Sequence, residues 1–368
     1  MSDLIHVVIT VVLFFAILGG LVLVHELGHF ITARLAGIRV LEFGIGFPPR
    51  ARVLRAKGET LYTLNWLPIG GFVKLEGEDG DATDDPRSFA HARLPKKLTI
   101  LIAGVAMNLL TAFVIFTAIA WLATPFVGLK FFDVQDPSPA ATAGLRSGDT
   151  ILAIDGRQFE FFGSTQVLDE LQHSAGKTLT LTIHHPDGRV DQVPVTLRPP
   201  SQIDKLHGPL GITGEIHPFE AFFFGSTGRD LPTAAAIGAG ETTRWFGLIL
   251  SGLGDLVRQV ATNPTAPPPV AGPIGIATQI GDVFFGAGPV MTLYVAGILS
   301  ANLALVNILP FPPLDGGRML MISLKSLFGR RISLRAEQLT YVVGFAVLFA
   351  FLIWVSGFDI VRILSGGS

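Results

Sequence analysis

Two histidines and a glutamate sit inside a long apolar stretch near the start of the chain. Residues 24–30 read V-H-E-L-G-H-F, so His25 and His29 are four apart and Glu26 follows the first of them. On an α-helix four residues turn about 400°, which puts both imidazoles on one face, a turn apart. That geometry suits two nitrogen ligands on one metal ion. Glu26 lies about 100° round from His25, near enough to act on a water held by the metal rather than to bind the metal itself. Titratable groups in hydrocarbon are costly unless partnered, so a functional reading of the three is the default.

A hydrolytic zinc site uses three protein ligands and leaves one position open for water. The chain has no cysteine, which removes disulfides, thiolate–zinc sites and thiol nucleophiles together. The third ligand is expected from another apolar segment at similar depth. Asp315 is the candidate, in N-I-L-P-F-P-P-L-D-G-G at 307–317. The prolines would end the preceding helix, and the glycines would let the chain turn sharply at the ligand. Depth agrees: His25 is nine residues before Arg34, about 13 Å along a helix, and Asn108 is eleven after Lys97, about 16 Å. Gly104 and Asn108 are one turn apart, a small-plus-polar spacing that favours close helix contact near the metal. His184 and His185 are neighbours on a strand and point to opposite faces, so they read as solvated residues. Glu42 and Asp155 read as structural.

The elements that must hold these groups are membrane elements. Of 368 residues 49% are hydrophobic and only 15% charged, against about 25% charged in a typical soluble chain; the mean hydropathy is +0.53. The net charge of −2 gives no footprint for nucleic acid. Four stretches reach the roughly 20 apolar residues that a span requires. They define helices at 1–36, carrying the histidine motif, and at 97–124, 287–310 and 338–358. Orientation follows from the bases: eleven Lys and Arg fall in Arg34–Lys97 and five in 311–337, but only ten in the 162 residues from Pro125 to Gly286. The positive-inside rule puts the first two segments in the cytoplasm, and the long middle segment and both termini outside. Residues 233–260 carry Glu241, Arg244, Asp255 and Arg258 and are expected as an amphipathic helix covering the bundle or its outer face. If they spanned, Asp315 would land on the wrong side.

Between the first two spans, 37–96 is β-rich, with the strand Gly71–Leu75 near its end and an exposed polar loop at 79–90. The expected architecture is a four-helix transmembrane bundle with a membrane-associated β-sheet and an external domain at 125–205. That domain contains S-P-A-x-x-A-G-L-x-x-G-D-x-I-x-x-I-D-G, which resembles the PDZ domains of bacterial membrane and envelope proteases. Within it a strand is expected at Thr150–Ile154, a helix near Gln166–His173, and two strands around a Pro-Asp-Gly turn. Residues 206–286 are expected as an external linker carrying the amphipathic helix, and 311–337 as a cytosolic loop holding the L-D-G motif.

HELGH, PIGGFVKLEGE, G-x-x-x-N, GPIGIA and N-x-x-P-x-P-x-LDGG together resemble the site-2 protease family of intramembrane zinc metalloproteases, in its bacterial branch around the regulator of sigma-E protease. The likeness covers nearly the whole chain, with one PDZ unit where the enterobacterial type has two. It implies zinc on His25, His29 and Asp315, with Glu26 as catalytic base. It further implies substrate contacts from Asn307, from Asn108, and from Gly71, Phe72 and Val73 on a strand that holds substrate extended. Implied partners are single-pass membrane proteins trimmed by an earlier cut, such as anti-sigma factors or signal-peptide remnants. The bilayer is a further partner, as is a peptide terminus at the PDZ unit, and the expected location is the bacterial inner membrane. Two other readings remain at this level: a membrane-bound PDZ module with a structural metal, which has no use for Glu26, and a zinc transporter, which fits a single three-ligand site poorly.

Overall fold

In the computed structural model the residues described are 2–56, 58–78, 84–163, 166–204, 207–223, 229–263, 265–328 and 334–365. Helix α1 (Ser2–Leu35) runs through the first apolar stretch and carries Arg34 in its last turn. It stops where Gly37 takes φ 75° and Ile38 N–H bonds back to the Ala33 carbonyl, a left-handed cap that glycine accepts without strain.

Two long bent strands follow, β1 (Val40–Arg55) and β2 (Leu61–Leu75), paired antiparallel. Both fold back on themselves. Residues 40–45 of β1 pair on one side with 71–75 and on the other with 61–64, and 50–55 pair with 62–65. Residues 71–75 therefore form one edge of the sheet, and no other described strand pairs with their outer side. Leu23 and Gly19 on α1 lie against Pro68–Gly71, so this edge starts beside the helical turn that precedes His25. Ile45, Phe47, Trp66 and Leu67 point away from the core, which makes the sheet surface apolar. The loop expected to be exposed at 79–90 is buried at its far end, and residues 79–83 lie outside those described. Phe89 packs with Ala33, Val40, Leu75, Ile100 and Leu101 in one cluster that joins α1, both strands and the next helix.

That helix, α2 (Leu94–Leu122), starts three residues before the expected span, because Pro95 is favoured in a first helical turn. Strand β3 (Ala123–Val134) follows it without a break. It opens a six-stranded sheet with short helices α3 (Pro139–Thr142) and α4 (Val167–His173) and strands β4 (Thr150–Ile154), β5 (Arg157–Glu160), β6 (Thr178–His184), β7 (Val190–Thr196) and β8 (Ile212–Phe223). The order is β7-β6-β4-β5-β3-β8. The core holds Leu129, Phe131, Ile151, Phe159, Leu181 and Ile183. The expected strand 150–154, the helix near 166–173 and the hairpin are all present. The expected boundary at 205 is too early. Residues 212–223, read as linker, form β8 and pair along nearly the whole of β3.

The helix α5 (Leu231–Thr262) packs Gly238 against Thr117 of α2. Its apolar and charged residues segregate, and it is not among the four helices long and apolar enough to cross a membrane, which are Leu4–Leu35, Leu94–Leu122, Pro273–Ile308 and Glu337–Leu364. The third of these, α6 (Pro273–Ile308), starts fourteen residues before the expected 287. Gly288 takes φ 80° and Pro289 lacks an N–H, so the chain kinks there, but helix stands on both sides. Trp245 donates to the Tyr294 hydroxyl at 2.8 Å, and that hydroxyl donates to Glu241 at 2.5 Å, which gives one otherwise costly charge on α5 a partner on α6. After α6 come α7 (Asp315–Phe328), where a loop was expected, and α8 (Leu334–Leu364). Buried Asp359 of α8 accepts from the N–H groups of Gly272 and Gly275 at 3.3 and 2.9 Å, capping the start of α6 within the GPIGIA segment.

By internal contacts the chain divides into two units, residues 1–117, 238–282 and 293–368 in one, and 118–237 with 283–292 in the other. The histidine motif and Asp315 both belong to the first.

Candidate metal centre

His25 and His29 are both buried and face the same side of α1, as their four-residue spacing requires. Their Nε2 atoms are 3.1 Å apart. Asp315, the first residue of α7, brings its Oδ2 to 2.9 Å from His25 Nε2 and 3.1 Å from His29 Nε2. Three side chains from two helices thus turn one ligand atom each toward a common point, across 290 residues of sequence. Ligands about 2.0–2.2 Å from a tetrahedral zinc stand about 3.3 Å apart, so the triangle needs to open by only a few tenths of an ångström to admit the ion. Two imidazole nitrogens and one carboxylate oxygen are a fitting donor set for zinc. Burial pushes the Asp315 carboxyl up, but hydrogen bonds from His25 and His29 and their charge outweigh it and hold the group well below the usual carboxylate range.

The chain ends α6 before Pro310 and turns at residues 312–314, as its prolines suggested, but the glycines are not part of that turn. Gly316 and Gly317 are helical, and their glycine character answers to crowding. A Cβ on Gly316 would come within 2.1 Å of the Ile308 carbonyl oxygen, and one on Gly317 within 2.5 Å of the Phe311–Pro312 backbone. The first turn of α7 is thereby pressed onto the end of α6, which fixes the depth of Asp315. Asn307 lies half-buried in the last turn of α6, eight residues before Asp315.

Helix α2 forms the back wall. A Cβ at Gly104 would sit 2.5 Å from His29 Nε2 and 2.7 Å from His25 Cε1, so only glycine leaves both rings their place. His29 Nδ1 donates to the Ile100 carbonyl at 2.8 Å, which leaves its Nε2 lone pair for a metal. Asn108 is fully buried, its side-chain amide 3.3 Å from His25 Nδ1, and its Oδ1 has no hydrogen-bond partner among the described residues. Ser300 of α6 donates to the Asn108 backbone carbonyl at 2.8 Å and anchors that turn of α2. Glu26 is half-buried next to His25, and no described residue hydrogen-bonds its carboxylate.

The strand residues Gly71, Phe72 and Val73 lie on the sheet edge against α1 rather than among the ligands. Three partners of the site had no signature in the sequence. The Ile100 carbonyl belongs to the backbone, Ser300 acts on a backbone atom, and Arg318 binds Glu78 at 2.6 Å, tying α7 to the turn after β2. The histidine pair of the second unit behaves differently from expectation. His185 bridges buried Asp149 at 2.7 Å and Asp191 at 3.3 Å, while His184 is exposed as expected. Glu42 and Asp155 are structural: Glu42 pairs with Arg50 and accepts from Thr63, and Asp155 accepts from the Thr180 N–H.

Comparison with known proteins converges on the same chemistry. The model of peptidase family M50 matches residues 13–351. A protein of Clostridium perfringens, provisionally named a zinc metalloprotease, is 32% identical, the match covering 93% of this chain and 96% of the relative. A second with the same provisional name, from Clostridium acetobutylicum, is 30% identical over 93% and 95%. The zinc metalloprotease RasP of Geobacillus kaustophilus is 27% identical over 95% and 97%.

Proposed function

From the fact that the chain belongs to peptidase family M50, and is a multi-pass zinc metalloprotease of the site-2 type, we propose that it hydrolyses peptide bonds in or beside transmembrane segments of other membrane proteins, with Glu26 as the base. The observation that carries this reading is the convergence of His25, His29 and Asp315, with the uncommitted carboxylate of Glu26 one residue along the same helix. A zinc ion held by the three would supply Lewis acidity and bring the pKa of a water bound to it toward about 7.

Glu26 takes the proton of the attacking water and returns it to the leaving amine, a role that general-base side chains fill at a gain of about 10²–10⁴ in rate. Asn307, at the end of α6, is the side chain we assign to the substrate backbone. Asn108 we assign to His25 instead of to substrate. With Nε2 turned to the metal, His25 Nδ1 carries the proton and needs an acceptor. Swapping the two ends of the Asn108 amide supplies Oδ1 for it.

A substrate helix hides its carbonyls in its own hydrogen bonds and must unwind before attack. The open edge at 71–75 offers a strand to pair with, so Gly71, Phe72 and Val73 would hold the unwound segment beside α1. We further read the six-stranded unit as an external PDZ domain that limits access. The protein would lie in the bacterial inner membrane with both termini outside, and its substrates would be single-pass proteins already cut once.

The test is metal analysis together with cleavage of a model membrane substrate. Glu26→Gln should keep its zinc and lose cleavage by at least about 100-fold, and joint replacement of His25 and His29 should lose both. Cleavage by Glu26→Gln at the wild-type rate would remove the base from the mechanism.

A further inference from the structure

Beside the metal centre the first unit holds a cavity of about 1200 Å³, bounded by the end of β2, the segment before α2, and the facing sides of α7 and α8. It starts close to the chemistry: Phe72 and Val73 of the sheet edge line it, and so do Pro313 and Arg318, two residues before and three after Asp315. Its charge is unbalanced. Lys74, Lys97, Arg318 and Lys325 face it, against Glu78 and Glu337. Arg318 pairs with Glu78 at 2.6 Å and Lys325 with Glu337, which commits both carboxylates. Lys97 donates to the Ala90 carbonyl at 2.8 Å and lies 5.5 Å from the Phe89 ring. Among the described residues neither Lys97 nor Lys74 has a carboxylate partner. The remaining walls are mixed, apolar at Phe89, Ile322 and Phe345 and neutral polar at Ser326, Gln338 and Tyr341.

We propose that this cavity receives the stretch of substrate just past the cut bond on the side of the basic loops, and that it selects for acidic residues there. The proposal rests on the reading of 71–75 as the strand that holds substrate, since a chain paired along that edge past Phe72, Val73 and Lys74 runs along the cavity wall. Two ammonium groups that form no ion pair among the described residues, in a recess whose other charges are paired with each other, attract carboxylates and repel bases. The repulsion matters as much. Most membrane proteins carry Lys and Arg on their cytoplasmic flank, so a cationic recess on that side turns away bystanders while leaving proteins with acidic flanks as substrates.

The experiment needs no turnover. Three fluorescent peptides share one apolar extended core and end in Asp-Glu-Asp, Ser-Gln-Ser or Lys-Arg-Lys, and their anisotropy is followed with the full-length Glu26→Gln protein in detergent. The acidic peptide should bind about fivefold tighter than the neutral one and the basic one about fivefold weaker, a difference of about 1 kcal/mol per step as for a favourable exposed ion pair. The spread should shrink as salt rises from about 0.05 to 0.5 M. Lys97→Glu leaves one positive and one negative charge and should abolish the preference, and Lys74→Glu, at an exposed position, should do the same if the first variant folds poorly; retained zinc reports folding. Equal affinities within twofold, no binding of any peptide, or an order unchanged in both variants would overturn the proposal. So would a charge preference shown only for phosphatidylglycerol nanodiscs, which would make the recess a lipid site. Failure of the wild type to cleave any membrane substrate would count against the proposed function and leave the charge order standing.

Discussion

Asn108 shows what a single buried side chain can decide. It touches His25 and is shut off from solvent, so its replacement should be felt first by the metal. Asn108→Leu keeps the volume and removes both polar atoms. Zinc affinity, read by chelator competition, should fall about 10–100-fold, the usual cost of losing the partner of a ligating histidine. Asn108→Asp keeps an acceptor and should recover much of the loss. If Asn108→Leu binds zinc normally and only cleavage falls, the residue contacts substrate, as the family resemblance implies. The convergence of His25, His29 and Asp315 was legible because histidines four apart on a helix and an acid flanked by prolines and glycines have few other uses in an apolar setting. The supports of those ligands were not, since the Ile100 carbonyl and the Ser300 contact run through backbone atoms that every residue type carries.

At the scale of elements the edge strand is the testable part. In an extended strand successive N–H groups alternate between the paired and the open side. Of prolines placed singly at Phe72, Val73 and Lys74, those whose N–H faces outward should spare the sheet and remove a donor from the open edge. For these we expect zinc content and thermal stability near wild type and cleavage of helical substrates down about tenfold or more; full activity in all three would exclude strand addition here. Strand Thr150–Ile154 was readable because alternation and a glycine turn agree there. Strand Ile212–Phe223 was missed, since its proline and its polar residues mimic a linker and its partner, β3, lies some 80 residues earlier. Helix α7 was missed for the opposite reason: Pro and Gly before and within it signal a turn, while the actual constraint is close approach to α6.

For the whole molecule, orientation is the open quantity, and the absence of cysteine makes it measurable. A single cysteine at exposed Lys177 in the six-stranded unit should react with an impermeant maleimide on intact cells. One at exposed Arg93, before α2, should react only after the inner face is opened. Labelling of both from outside would overturn the orientation and, with it, the side assigned to the cationic recess. The structure also redraws the obvious deletion. Removing 131–198 would cut off the last four residues of β3 and strand the rest of β3 and β8 as a two-stranded remnant, whereas removal of 123–223 with a short linker takes the whole sheet. The larger deletion should keep zinc and admit substrates with bulkier outer domains, if that unit restricts entry; weaker cleavage of the normal substrate would point to recruitment instead.

His25 and Asp315 are 290 residues apart, and the distance is also an interval of time. At a synthesis rate of about 5–20 residues per second, roughly 15–60 s separate the emergence of the histidine helix from that of its third ligand. On the proposed reading, the growing chain sits through that interval among membrane proteins of the kind it cuts, holding Glu26 and two imidazoles but not the third group of the cluster. Arrested chains ending before Asp315 should capture little zinc, and those ending after α7 should capture it.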